Sequence, residues 1–173
     1  MGSLLFSPSG RIGPSAFFKG IMILSAISAL SSLLALVDFG IATIFGFVVL
    51  LLVIPLIFML IKRSHDAGRS GWMSVLWLIL FIILYFVVGT IIPQFFGGEL
   101  YTEMQAATES AAESGDFAAI MEIATEYGEP LAKKTAVPSA IGSLVYGAIF
   151  AFIVNLLNKQ DGGDNQYGPV PAA

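Results

Sequence analysis

The sequence predicts an all-α, polytopic membrane protein: a four-transmembrane-helix bundle with a short amphipathic helical segment on its outer side. Three observations predict it. Hydrophobic residues make up 57% of the 173-residue chain and charged residues only 12%, against roughly 45–50% and about 25% in soluble domains. Four apolar runs of about 21 residues each correspond to about 31 Å of helix, enough to cross a hydrocarbon core of about 30 Å. From Gly20 to Val37, and throughout the other three runs, there is no Asp, Glu, Lys, Arg or His.

The first span is placed at 16–37, with Lys19 near its start snorkelling to the interface. Three further spans follow it, so it is not read as a cleaved signal peptide. Asp38-Phe39-Gly40 is too short to allow anything but an antiparallel hairpin into the second span, 41–61. Gly46 and Pro55 are its expected bending points, since proline removes one backbone hydrogen bond. The third span covers 72–93, with Trp72 as an interfacial anchor. The fourth covers 137–157. All are read as helices, because lipid leaves backbone polar groups no partner outside the segment.

Between the third and fourth spans lies the one long polar stretch, 94–136, which carries eight of the chain's twelve acidic residues. Its alanine content favours helix. Phe117, Ile120, Met121 and Ala124 recur at the spacing of an amphipathic face. Asp116 is placed to cap a helix after a break at Ser114-Gly115. Two short helices are expected, 99–113 and 117–127, the second ended by Gly128 and Pro130. The segment reads as an acidic, solvated cover over the outer mouth. The tail, 158–173, is turn chemistry from Asp161 to Pro171. The whole chain, 1–173, forms one membrane domain.

Basic residues orient it. Arg11, Lys19, Lys62, Arg63, Arg69 and Lys159 fall on one side, and only Lys133 and Lys134 on the other. Six against two makes the first side cytoplasmic, with both termini there.

Helices in lipid associate through small residues. The fourth span has a stripe of them at every fourth position: Ser139, Ser143, Gly147, Ala151 and Asn155. The first span offers Ser25, Ser28, Ala29, Ser32 and Ala35. These two faces are expected to pack together.

Three polar, glycine-bearing motifs converge on the cytoplasmic face in this topology. They are Ser9-Gly10-Arg11-Ile12-Gly13, the stretch from Lys62 to Trp72, and Gly163-Asp164-Asn165-Gln166-Tyr167-Gly168-Pro169. The convergence implies a folded cap in which Arg11, Arg63, Asp66 and Asn165 interlock. Lys62, Arg63 and Arg69 also read as contacts for anionic lipid headgroups. Tyr167 caps the helices from below or anchors the tail. Gly68 and Gly71 read as turn residues needing positive φ. His65-Asp66 has the composition of an acid–base pair, but no nucleophile or metal partner is set beside it in a recognisable pattern. The glycine spacing is not that of a phosphate loop. With no cysteine and one histidine, neither a disulfide nor a thiolate metal site is expected, and no cofactor.

These motifs also carry a resemblance. Gly-Arg-Ile-Gly at 10–13, Lys-Arg-Ser-His-Asp-Ala-Gly-Arg-Ser-Gly-Trp at 62–72 and Asn-Gln-Tyr-Gly-Pro-Val-Pro at 165–171 are similar to the domain of unknown function 805 family, the YhaH-like bacterial inner-membrane proteins. The resemblance spans nearly the whole chain. It implies a small multi-helix protein of the bacterial inner membrane, the expected location, and no assigned activity. The chain departs from the family where basic residues are common, at Pro14, Ala67 and Gln166, at Phe18 where tryptophan is usual, and at Ser64 where leucine is usual.

The resulting expectation is a non-catalytic membrane protein, an accessory or scaffold subunit of a larger complex. The alternative is a small-solute or lipid transporter or channel working as an oligomer, for which charge-free spans argue against ion coupling. An enzyme acting on lipid headgroups through His65 and Asp66 ranks third. Expected partners are the lipid bilayer with its anionic headgroups and another membrane protein or further copies of the chain. Nucleic acid is not expected.

Overall fold

The computed structural model describes residues 7–171, so the last two residues of the expected tail lie outside the described residues. The described residues form six α-helices: α1 Pro14–Leu34, α2 Phe39–Leu50, α3 Val53–Asp66, α4 Met73–Phe96, α5 Glu99–Ser114 and α6 Phe117–Leu157. Four stretches are long and apolar enough to cross a bilayer: α1, α2 with α3, α4, and α6.

α1 begins at proline, whose missing N–H costs nothing at the first helical position. The chain then turns, and the Asp38 carboxylate accepts the Ile41 N–H at 2.8 Å. That cap starts α2 at Phe39, while α1 already ends at Leu34, so the connection is 35–38 rather than 38–40. The second span does break, at Leu51–Leu52. Pro55 has no N–H to offer, its ring crowds the carbonyl four residues earlier, and the chain tightens so that Ile54 N–H reaches Leu51 O instead (3.1 Å). Helix continues unbroken through Gly46.

Beyond the break, α3 runs five residues past the expected end at 61 and takes Lys62 to Asp66 into its last turn. Lys62, Arg63, Ser64 and Asp66 are buried there. Arg63 and Asp66 continue the helix because the partners described below neutralise them. Gly68, at φ +67°, ends it. Gly71 has no positive φ. A Cβ there would stand 3.2 Å from His65 Nε2 and Ile61 Cγ2, so close approach is what glycine allows.

The outer segment differs most from expectation. Gly115 adopts a left-handed conformation, φ +70°, and the Asp116 carboxylate accepts the Ala119 N–H at 3.0 Å. From there one helix runs 41 residues through Gly128, Pro130 and Pro138 to Leu157. Each proline removes one hydrogen bond, but helix-favouring alanines at 118, 119, 124, 132 and 136 flank them and the helix continues. At ~1.5 Å per residue α6 is about 61 Å long, twice a hydrocarbon core. Its outer half pairs with α5 as a helical hairpin, here called the arm. Register along the whole helix sets the covered face. Ile120, Ile123, Tyr127 and Leu131 are partly covered, whereas Phe117, Met121 and Ala124 are exposed. The expected amphipathic face was therefore rotated from the real one.

α1 packs most extensively on α6, and α4 also lies on α6. Gly147 sits so close to α1 that a Cβ on it would overlap Ser25 Oγ. Ala29, Ala140 and Ala151 are buried nearby. Met59 of α3 fills the space that Gly20 of α1 leaves. The apolar core is Phe17, Ile21, Leu56, Met59, Leu60, Trp77, Phe150 and Val154. α2 buries no residue at all.

Candidate functional site: a charged cap and a neutral cavity

The three glycine-bearing motifs meet at the end of the helices opposite the arm. Arg11 is the hub. Its Nε donates to Asp66 Oδ1 (3.1 Å), Nη1 to the carbonyls of Gly163 (2.8 Å) and Gly168 (3.2 Å), and Nη2 to those of Asp161 (2.8 Å) and Asp66 (3.4 Å). A guanidinium has five N–H donors in a planar fork, and all five are used. Its side chain is 1% exposed.

The second guanidinium, Arg63, lies across the same carboxylate. Nη1 donates to Asp66 Oδ2 at 2.8 Å, and Nε to Asn155 Oδ1 at 2.8 Å. Nη2 donates to the Asn158 carbonyl. The Asn155 amide donates onward to Pro14 O (3.1 Å), which ties the base of α6 to the start of α1. Asp66 and Arg63 are fully buried. One carboxylate between two guanidiniums leaves a net positive charge, which the aligned carbonyl dipoles offset. Buried charges demand such pairing.

The tail folds over this pair. Asn165 donates to His65 O (3.0 Å) and accepts Tyr167 N–H (2.9 Å). It also closes a tight turn with Gly168. The Tyr167 ring stacks on His65, centroids 3.8 Å apart and nearly parallel. His65 Nδ1 lies 3.2 Å from Gly10 O, so that nitrogen is the donor. His65 and Asp66 therefore face different partners and do not form an acid–base pair. Among the described residues no three His, Asp or Glu side chains gather to hold a metal ion.

The structure thus brings together Arg11, Arg63, His65, Asp66, Asn165 and Tyr167. Lys62 is buried beside them. Arg69 is exposed, though its guanidinium reaches Asn158 Oδ1 (3.3 Å). Lys19 and Lys159 are exposed. Asn155 belongs to this cap and not only to a packing stripe. Asn158, fully buried with its Nδ2 unpartnered among the described residues, was missed. The signal was present: two amides three residues apart ending an apolar run. Of the expected packing residues, Ser25, Ala29, Gly147 and Ala151 are buried, while Ser32, Ser139 and Ser143 are partly covered. Ser32 and Ser143 each donate to a carbonyl four residues back on their own helix. Ser32, Ser139 and Thr135 line a crevice of ≈ 260 Å³ between α1, the start of α2 and α6.

The hub predicts a testable consequence. Arg11→Ala removes five hydrogen bonds to the tail and helix end, yet leaves Asp66 paired with Arg63. The tail should open locally, and cleavage by chymotrypsin after Tyr167 should rise at least about tenfold, since bonds to a charged group are worth about 1.5–3 kcal/mol each. An unchanged cleavage rate would mean the tail is held by something else.

A second feature lies farther from the cap. A cavity of ≈ 330 Å³ opens at the α2–α3 break, walled by α1, α4 and α6. Its lining includes Ser25, Ser28, Tyr85 and Tyr146, and no Asp, Glu, Lys, Arg or His.

A family model described as "Protein of unknown function (DUF805)" matches residues 5–169 of the chain. No curated protein and no solved structure matches it.

Proposed function

The chain belongs to the DUF805 family of proteins of unknown function, and from that premise we propose that it is a non-catalytic membrane protein, an accessory or scaffold subunit of a larger assembly in the bacterial inner membrane. One observation carries the reading. The strongest polar groups of the molecule, Arg11, Arg63 and Asp66, are saturated by the chain's own backbone and side chains. They hold the fold shut and offer no reactive group. What faces other molecules is the arm and the uncovered sides of α2 and α4. An arm reaching about 30 Å past the apolar half of α6 supplies a docking surface that a bilayer-embedded bundle lacks. The anionic headgroups reserved for Lys62 and Arg63 pass to the exposed Arg69, Lys19 and Lys159.

The capped end faces the cytoplasm in this reading. It carries six basic residues against two on the arm, and burial in the folded state does not alter their effect during insertion. Single cysteines at the exposed positions Ser9, Ser70 and Ser110 test the orientation. An impermeant thiol reagent added outside should label only the Ser110 site.

The assembly is tested by tagging the full chain, extracting native membranes in a gentle detergent and weighing the intact particle. A stoichiometric complex with another protein is the expected result. A monomer or homo-oligomer carrying lipid alone would overturn the subunit reading. The second reading, an oligomeric carrier for a small neutral or lipidic solute, is favoured by the uncharged cavity.

A further inference from the structure

The cavity at the α2–α3 break has three properties that together define an occupant. The first is depth. Ser25 lies near the middle of α1, Leu52 near the middle of Phe39–Asp66, and Tyr85 near the middle of α4. Tyr146 lies 11 residues from the end of α6. At ~1.5 Å per residue they lie about 17–21 Å along their helices from the capped end, near the centre of a bilayer about 30 Å thick. Irregular backbone at that depth is tolerated where it is buried or lines a cavity, and Leu50, Leu52 and Val53 of the break line this one.

The second is access. α3 packs on α4, but α2 diverges from it. The mouth between them is rimmed by exposed apolar residues, among them Leu50, Ile82 and Phe86. It opens sideways into hydrocarbon, so an occupant arrives dissolved in the membrane.

The third is unmet polarity. Ser25 is 4% exposed and Tyr146 6%. Both line the cavity, and neither hydroxyl has a hydrogen-bond partner among the described residues. The Tyr146 ring is fixed edge-to-face by Phe81, 5.5 Å between centroids. Hydroxyls left unpaired in an apolar site are costly, and a ligand oxygen relieves that cost.

We propose that this cavity is a binding site for a neutral, lipid-soluble molecule whose hydroxyl or carbonyl oxygen hydrogen-bonds to Tyr146 and Ser25 at the bilayer centre. The lining bears no ionisable group other than tyrosine, so a charged ligand would lie buried without a counter-ion. Ordinary phospholipids are excluded by geometry. Their ester oxygens sit at the interface, about 15 Å away, and only chain ends reach the midplane. At ≈ 330 Å³ the space is at the small end of ligand pockets, so it takes one ring or one chain segment. The site concerns binding, and stands whether the protein is a subunit or a carrier.

The test uses the full chain in proteoliposomes with two photoreactive probes. One is a long-chain alcohol bearing a diazirine beside its hydroxyl; the other is a phosphatidylcholine with the diazirine at an acyl terminus. The alcohol should label residues 49–56 and 81–86 saturably, and unlabelled alcohol, but not the corresponding fatty acid anion, should compete. Tyr146→Phe and Ser25→Ala should each weaken half-saturation by about 2- to 12-fold, the range for one net hydrogen bond. Leu52→Trp, which fills the space, should abolish saturable labelling. Ser25→Ala removes one oxygen and adds nothing, so it reads the hydroxyl even if a bulkier variant misfolds. Non-saturable alcohol labelling spread over every lipid-facing helix would overturn the proposal. So would saturable labelling indifferent to both hydroxyl deletions. Saturable labelling by the phospholipid alone would identify an acyl-chain groove instead and overturn it equally.

Discussion

Asp66→Ala should destabilise the purified protein by about 3–5 kcal/mol, the usual cost of removing one member of a buried ion pair, read as the shift in its thermal unfolding transition in detergent. The magnitude follows from what is left behind. Arg11 and Arg63 both direct N–H groups at this carboxylate, and the Arg63 side chain has no exposure at all. Without Asp66, two guanidiniums share a buried site with no anion between them. Asp66→Asn keeps the shape and loses the charge, so it should fall between. Replacing all three ionic residues by apolar ones of similar volume strands no charge but leaves the carbonyls of 158, 161, 163 and 168 without their donors, so it should recover only part of the loss. If Asp66→Ala unfolds with the parent protein, the ion triad is not what closes the cap.

The second large effect is expected at the α1–α6 contact. Gly147→Leu drives a side chain into the place of Ser25 Oγ. Overpacking of this kind costs typically 1–3 kcal/mol and more where backbones must part, and no hydrophobic gain offsets it between helices in lipid. The unfolding transition should drop accordingly. Gly147→Ala with Ser25→Gly should restore part of what Gly147→Ala alone removes, giving a positive coupling in a double-mutant cycle. Additive effects would show that the two residues do not meet.

The four apolar stretches were legible because length and absence of charge are one-dimensional properties. The break at Leu51–Leu52 was also legible, since Pro55 acts on the carbonyl four residues before it. The extension of α3 was not. Arg63 and Asp66 read as members of a folded cap but in the loop after the span, and the partners that carry them into the helix lie about fifty residues earlier and about ninety to one hundred later. Pro130 misled for a related reason: proline weakens a helix wherever it falls, but only packing decides whether the helix stops. In the arm, one misjudged helix end rotated the covered face away from Phe117, Met121 and Ala124, keeping Ile120 and bringing in Ile123. For the cap, the motifs gave its members and left its geometry open. The cavity was out of reach, because it exists only where a broken helix and three others diverge.

The hub has a consequence for biogenesis. Arg11 is made early, yet its partner Gly163 lies 152 residues later in the chain. At about 5–20 residues per second, roughly 8–30 s separate the two on the ribosome. Arg63 and Asp66 can pair as soon as their helix turn forms, but the Arg11 donors aimed at 161, 163 and 168 wait until that segment has been translated and the four spans before it made. Closure of the cap thus follows synthesis of all four spans. A nascent chain stalled or truncated before that point displays an unquenched guanidinium and a bare carboxylate flank, the kind of defect by which membrane quality control separates finished molecules from unfinished ones.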